Sequence, residues 1–330
     1  MSLKEEINYS IWCDFIERDF LENGFKDLIN DKIIHGATSN PAIFEQSITS
    51  SEAYKQQMQM LQANENKKIY EELAISDIKT AAEILKPLYD HDANDGFISL
   101  EVDPTLCDDT DATVAEGIRL YKQISYDNVM IKVPATQAGY KAMEELTTLG
   151  INVNATLIFS PNQAIECAKA LSEGIAKSGK DTKGVISIFV SRFDRALDES
   201  MHSKGLETGK VGIMNATKCY HEIEKFENNN IRTLFASTGV KGDELPASYY
   251  IDNLIFENSI NTAPLSTIKD WKINGSSQPT QIVSENECDK YFSKLEKRNI
   301  NIAQVSDQLL KDGLNAFKIS FAELLTKVKL

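Results

Sequence analysis

No stretch of this 330-residue chain strings together the roughly 20 apolar residues that a helix needs to cross a bilayer, so a membrane-spanning helix is excluded. The opening segment, Met1 to Ser10, is polar and charged where a secretory leader would be apolar, and a cytoplasmic protein is expected. Cysteine is scarce: Cys13, Cys107, Cys167, Cys219 and Cys288 are far apart, odd in number and without a CxxC pair. That pattern argues against a disulfide framework and against a zinc site, and it fits a reducing compartment. The four histidines, His35, His91, His202 and His221, lack ligand spacing to one another, so no metal is expected. Basic residues are in short supply, 35 against 49 acidic ones, for a net charge of −14. Such a surface repels phosphate backbones and anionic lipids, which makes nucleic acid and membranes poor partners. An anionic ligand would have to meet a local cluster of basic side chains. Internal repeats and low-complexity tracts are absent, and no GxGxxG follows the first strand, which weighs against a dinucleotide-binding sheet.

What remains is an ordinary globular composition, 42% apolar and 25% charged, too rich in Ile, Leu, Val and Phe for disorder. Short apolar stretches alternate with longer helical patterns from end to end. Strands are predicted at Ile11–Asp14, Ile33–Thr38, Phe97–Val102, Val129–Val133, Asn152–Phe159, Gly184–Val190, Thr233–Ser237 and Ser259–Thr262. Eight strands separated by helices imply parallel pairing with crossover connections. A closed (β/α)8 TIM barrel, an α/β fold of about 250 residues before insertions, fits that alternation better than an open sheet. The expectation is one domain over residues 1–330, with helical insertions at about 44–96 and 191–231 and C-terminal helices at about 284–326. Local chemistry marks the helices. Ser160-Pro161-Asn162-Gln163 supplies an N-cap, a first-turn proline and a capping glutamine, and Ser284 to Glu287 spells a capping box. Gly150 stops the helix that begins after Thr136, and Leu314, Phe317, Phe321, Leu324 and Leu325 form an apolar stripe on the final helix.

A barrel of this kind works at the C-terminal ends of its strands. Those ends are polar here: Asp14 closes the first strand, and the second runs into Asn40. Ser99 and Glu101, two residues apart, share a face of the third, and Lys132 lies late in the fourth. Asn154 and Thr156 share a face of the fifth, Ser187 lies on the sixth with Arg192 beyond it, and Ser237 ends the seventh ahead of Lys241. Charge inside an apolar strand is costly unless it is paired. Glu101 and Lys132 therefore read equally well, taken singly, as a core-organising ion pair. Polar groups at seven strand ends together point to a catalytic site instead. Desolvation favours the neutral, nucleophilic form of Lys132, which can condense with a ketone to a Schiff base. That chemistry needs an acid/base, for which Asp14 and Glu101 are available, and orienting groups, for which Asn40, Asn154 and Ser187 are available. Arg192 and Lys241 follow strands six and seven, where such barrels often hold phosphate. His35 and Trp12 read as structural.

Gly36-Ala37-Thr38-Ser39-Asn40-Pro41-Ala42-Ile43-Phe44 and Ile131-Lys132-Val133-Pro134-Ala135-Thr136 resemble, in order, the two signatures of the transaldolase family. Ser99-Leu100-Glu101-Val102 and the segment Asn152 to Ser160 are similar as well, so the resemblance covers nearly the whole chain. It implies that Lys132 attacks C2 of a ketose phosphate and that Asp14 is the general acid/base. Glu101 and Thr156 would hold a water used in proton transfer, and Asn40 and Asn154 would bind hydroxyls of the dihydroxyacetone unit. Ser187 and Phe189 would complete the pocket wall, and Arg192 would grip the phosphate. Many members carry a second arginine after strand seven, where this chain has Ser237 and Lys241 as candidate replacements. The lysine on strand four separates transaldolases from ordinary class I aldolases, which place it on strand six. The implied reaction moves dihydroxyacetone from sedoheptulose 7-phosphate to glyceraldehyde 3-phosphate, with neither metal nor organic cofactor. A fructose 6-phosphate aldolase that releases dihydroxyacetone to water, and a sugar-phosphate sensor without turnover, are the alternatives. Oligomeric state, a homodimer included, is left open.

Overall fold

The computed structural model describes residues 2–242 and 244–329. Its strands are β1 (Ser10–Cys13), β2 (Gly36–Thr38), β3 (Ile98–Glu101), β4 (Val129–Pro134), β5 (Asn152–Ile158), β6 (Gly184–Phe189), β7 (Ile231–Ala236) and β8 (Ser259–Ala263). Each pairs in parallel with its neighbours, and β8 returns to β1, closing the ring. The expected (β/α)8 barrel is the fold.

The helices of ten or more residues are α1 (Pro41–Ser50), α2 (Asn66–His91), α3 (Thr110–Ile124), α4 (Gln137–Thr148), α5 (Pro161–Ser178), α6 (Ser191–Ser203), α7 (Val211–Glu224), α8 (Leu265–Asn274), α9 (Glu285–Glu296) and α10 (Ile302–Lys327). Side-chain caps start several of them. Asn40, Thr136 and Ser160 accept from the backbone N–H three residues on, and Ser284 with Glu287 forms the full reciprocal box. Gln163 departs from the expected role. Its Oε1 accepts from the N–H of Phe159 at 2.9 Å, while its Nε2 donates to the carbonyls of Ala135 and Leu157.

Two strand boundaries differ from expectation for identifiable reasons. The second strand begins at Gly36, not Ile33, because Lys32 turns the chain through a left-handed φ of 58°. Gly36 itself lies so close to the indole of Trp12 that a Cβ there would come within 2.6 Å of the ring. The seventh strand begins earlier, at Ile231, and takes in the charged Arg232. Arg232 is accommodated because the barrel floor answers its charge. Its Nη2 donates to the carbonyls of Asn8 and Ser259, and its Nη1 lies 3.5 Å from Asp95. Asp95 also accepts from Ser10 and from the indole N–H of Trp12.

Above this polar plug the interior is filled by Trp12, Phe97, Met130, Val185, Leu234 and Ile260, all buried. They make a solid floor, so any ligand space must lie above it at the C-terminal end. The last helix shapes that space. Its buried stripe, Leu309, Gly313, Phe317, Phe321 and Leu324, packs on α1, α2, α6 and β5. No helix among the described residues is long and apolar enough to cross a membrane.

Candidate active site

Alternation along each strand decides which side chains face inward, and the register of neighbouring strands decides their height. Glu101, Lys132 and Asn154 stand side by side on β3, β4 and β5. Lysine is long and rises above this level. Its Nζ donates to the carbonyl of Ser39 at 3.2 Å and lies 3.6 Å from Glu101 Oε2, too far for a hydrogen bond but close enough for ionic attraction. The ring of Phe317, lowered from α10, is centred 6.0 Å from the amine. Lys132 is 5% exposed, and that sliver opens into a cavity of about 300 Å³.

The cavity brings together most of the residues expected from the sequence: Asp14, Asn40, Lys132, Ser187, Phe189, Arg192, Ser237 and Lys241 all line it. Asp14 has just left β1, and its N–H is still bonded to the carbonyl of Ala263. Its Oδ1 accepts from Thr38 Oγ1 at 2.7 Å, and Thr38 and Thr262 share a hydroxyl contact of the same length. Burial pushes the Asp14 carboxyl above its ordinary value, while the charge of Lys132 and the Thr38 bond hold it down. Asn40 spends its side-chain oxygen on capping α1, which leaves its amide group for other partners.

Glu101, Asn154 and Thr156 do not line the cavity. Asn154 lies in the floor, donating to Ser99 Oγ at 3.0 Å and accepting from Ser187 Oγ at 2.7 Å, so its amide holds two inward hydroxyls in place. Glu101 lies behind the amine, with its carboxyl raised to about 7 by burial against the opposing pull of Lys132. Thr156 Oγ1 and Glu101 Oε2 are both buried without a hydrogen-bond partner, an uncommon state that leaves bonding capacity beside the lysine.

Arg192 and Ser237 occupy the end of the cavity formed by β6 and β7. The Arg192 guanidinium lies 5.2 Å from the centre of the Phe189 ring. A Cβ on Gly313 of α10 would come within 3.4 Å of Arg192 Nη1, so the glycine leaves room for that guanidinium. Ser237 breaks β7 with a left-handed φ of 55° and turns its hydroxyl toward Ser191 Oγ, 3.2 Å away. Lys241 is on the exposed rim.

Sequence reasoning did not pick out several other lining residues, among them Thr38, Thr262, Ser191, Arg195 and Phe317. Thr38 ends β2 and Thr262 is the penultimate residue of β8, both lining the cavity, a signal of the same kind that singled out Asn154. Ser191 begins α6. Arg195 follows Arg192 by three residues, hence on the same helical face, and that spacing was legible. Phe317 carried no distinguishing mark, because a cavity-lining aromatic on an apolar helix stripe looks like core.

The comparisons with known proteins agree with this geometry. Residues 11–328 match the family described as Transaldolase/Fructose-6-phosphate aldolase. A transaldolase of Helicobacter pylori is 45% identical over 318 residues, covering 96% of this chain and 98% of that one. A transaldolase of Campylobacter jejuni subsp. jejuni is 46% identical over 340 residues, with the same coverage. With an inward lysine on the fourth strand of a closed barrel and similarity along almost its entire length, the chain belongs to the transaldolase/fructose-6-phosphate aldolase family.

Proposed function

We propose that this chain is a transaldolase of the pentose phosphate pathway, a transferase that works through a Schiff base on Lys132. It moves a dihydroxyacetone unit from sedoheptulose 7-phosphate to glyceraldehyde 3-phosphate, giving erythrose 4-phosphate and fructose 6-phosphate. The observation that carries the proposal is the placement of a buried lysine amine in a cavity with a carboxylate, Asp14, and a guanidinium, Arg192. A ketose phosphate needs all three: a nucleophile at C2, a base at the C4 hydroxyl and a cation at the phosphate.

In this reading the Lys132 amine adds to the C2 carbonyl, forming a C–N bond and a carbinolamine. Loss of water then gives the iminium. Glu101, whose carboxyl titrates near neutrality, exchanges the protons of this step through a water shared with Thr156. Asp14 next takes the proton of the C4 hydroxyl as the C3–C4 bond breaks, and the electron pair of that bond flows into the iminium. The aldose phosphate leaves, and the enamine left on Lys132 attacks the acceptor aldehyde in the reverse sense. Asn40 and Ser187 orient the hydroxyls of the transferred unit, with Asn154 fixing Ser187 from below. Phe189 walls the pocket, and Arg192, Ser237 and Lys241 face the phosphate end.

Borohydride reduction with fructose 6-phosphate, followed by peptide mass mapping, tests nucleophile, substrate and class together. A sugar adduct on Lys132 is expected, and an adduct on another lysine overturns the assignment. Fructose 6-phosphate consumed only in the presence of an aldose acceptor supports transfer. Free dihydroxyacetone without an acceptor supports the lyase.

A further inference from the structure

Six arginines are present, and their pairing divides them. Arg18, Arg119 and Arg232 each meet a carboxylate within 4 Å. Arg192, Arg195 and Arg298 have no such partner among the described residues, although the protein carries 49 acidic side chains, and of these three only Arg192 and Arg195 line the cavity. They are one turn apart at the start of α6, and both line the end of the cavity away from Lys132's strand. Two like charges on one helical face, in a strongly acidic protein, form a positive site with no carboxylate in ion-pair contact; Asp312 of α10 attracts Arg192 only from a longer range.

The nearest carboxylate in sequence does not relieve it. Asp194 lies between the two arginines but points into the protein, where it accepts from the N–H of Gly212 at 3.1 Å and the hydroxyl of Tyr250 at 2.9 Å. Its buried carboxyl is 1% exposed, so α6 presents its basic face to the cavity and its acidic one to the core. The N-terminal end of α6 adds the positive pole of its dipole to the same place. Ser237 completes the arrangement. From its left-handed turn its Oγ accepts a long bond from Arg195 Nη2 at 3.4 Å while touching Ser191 Oγ. A non-glycine residue in that conformation is strained and persists where the surroundings require it.

We infer that Arg195 is the second guanidinium of the anion site, and that with Arg192 it clamps a phosphomonoester dianion, Ser237 acting as the residue that positions Arg195. The inference rests on the ketose-phosphate reading given above and names the group that recognises the phosphate. The cation commonly supplied after strand seven comes here from the helix after strand six, one turn beyond Arg192. Lys241 cannot do the same work. Both side chains are exposed, but Arg195 is tied to Ser237 while Lys241 has no fixed hydrogen bond among the described residues, and an ammonium is a hydrated point charge where a guanidinium is a planar fork matched to phosphate.

The test compares Arg195→Gln, Arg195→Lys and Lys241→Ala in the full chain. Three readouts are taken: KM for fructose 6-phosphate, turnover of unphosphorylated fructose at high concentration, and Kd for inorganic phosphate by calorimetry. Arg195→Gln should raise KM and the phosphate Kd by roughly 10- to 100-fold, the loss of a charge-assisted pair, and leave fructose turnover unchanged. Arg195→Lys should recover part of the loss, and Lys241→Ala should cost less than Arg195→Gln. If Arg195→Gln leaves both constants unchanged, or harms fructose and its phosphate equally, Arg195 is not a phosphate ligand. A parent protein that binds phosphate through Arg195 yet yields no borohydride adduct would overturn the reaction and retain the anion site. The two failures are thereby separated.

Discussion

Asp14→Asn separates imine formation from bond cleavage, because the structure lets the substitution remove one property and keep the rest. Asparagine has the same size, and its side-chain oxygen can still accept from Thr38 Oγ1, now at 2.7 Å. The backbone bond to Ala263 is untouched. What disappears is the base facing the cavity. Loss of a positioned general base costs about 10²–10⁴-fold in rate, equivalent to roughly 2.7–5.5 kcal/mol of barrier at 1.36 kcal/mol per decade. Lys132, its carbonyl contact with Ser39 and its Glu101 neighbour are unchanged, so the imine should still form at close to the parent rate. Rapid-quench borohydride trapping with fructose 6-phosphate measures the imine, and coupled detection of glyceraldehyde 3-phosphate measures cleavage. The variant should show a fast burst of trapped adduct and a slow release. Stability supplies a second reading. Burial raises the Asp14 carboxyl in the folded state, so its charge is a cost that appears as pH rises through that elevated pKa. Asparagine removes the cost, and the variant should melt higher than the parent at neutral pH but not in acid. Slow imine formation followed by rapid cleavage would refute the reasoning and exchange the roles of Asp14 and Glu101.

Three further outcomes follow from particular contacts. Glu101, held near 7, should give kcat/KM an inflection near pH 7, rising as the carboxylate forms; Glu101→Gln should slow imine formation and flatten that limb, and a retained inflection assigns it to another group. The buried carboxyl of Asp194 is pushed up to about 6, chiefly by desolvation, so the folded state keeps a proton that the unfolded chain releases near 4. Stability should therefore fall by about 3 kcal/mol as pH rises from 4 to above 6, and denaturant titrations of Asp194→Asn should show that slope removed. Gly139→Ala places a Cβ against the backbone carbonyl of Pro134, which no side-chain rotation relieves. Thermal melts should show a loss of about 1–3 kcal/mol, with turnover lost as well because Pro134 ends the strand that carries Lys132; an unchanged variant would show that the turn yields freely.

The strands could be read from the sequence because each is a short apolar run bounded by turn residues, and Lys132 could be read because it interrupts such a run with charge. Depth was not readable in the same way. Alternation places Glu101, Lys132 and Asn154 on the inward face, and their register places them at one height. Side-chain length then separates them: the lysine amine reaches the cavity, whereas the asparagine amide ends in the floor between Ser99 and Ser187. The fifth strand hides a further feature. Its ladder slips between Ala155 and Ile158, and Leu157 takes a left-handed φ of 59° that a leucine rarely adopts. No glycine marks the spot, and the cause is remote in sequence. Gln163 binds the carbonyl of Leu157 from one side, and Gly313 of α10 leaves room for its side chain on the other. The bulge follows directly after Thr156, whose unpartnered hydroxyl is buried. A conformation forced by tertiary contacts on an unremarkable apolar residue leaves no trace in composition or periodicity, and Phe317 is hidden for the same reason. The legible part of the site is the part where residue type conflicts with its local environment. The illegible part is where an ordinary core residue is put to use by its position alone.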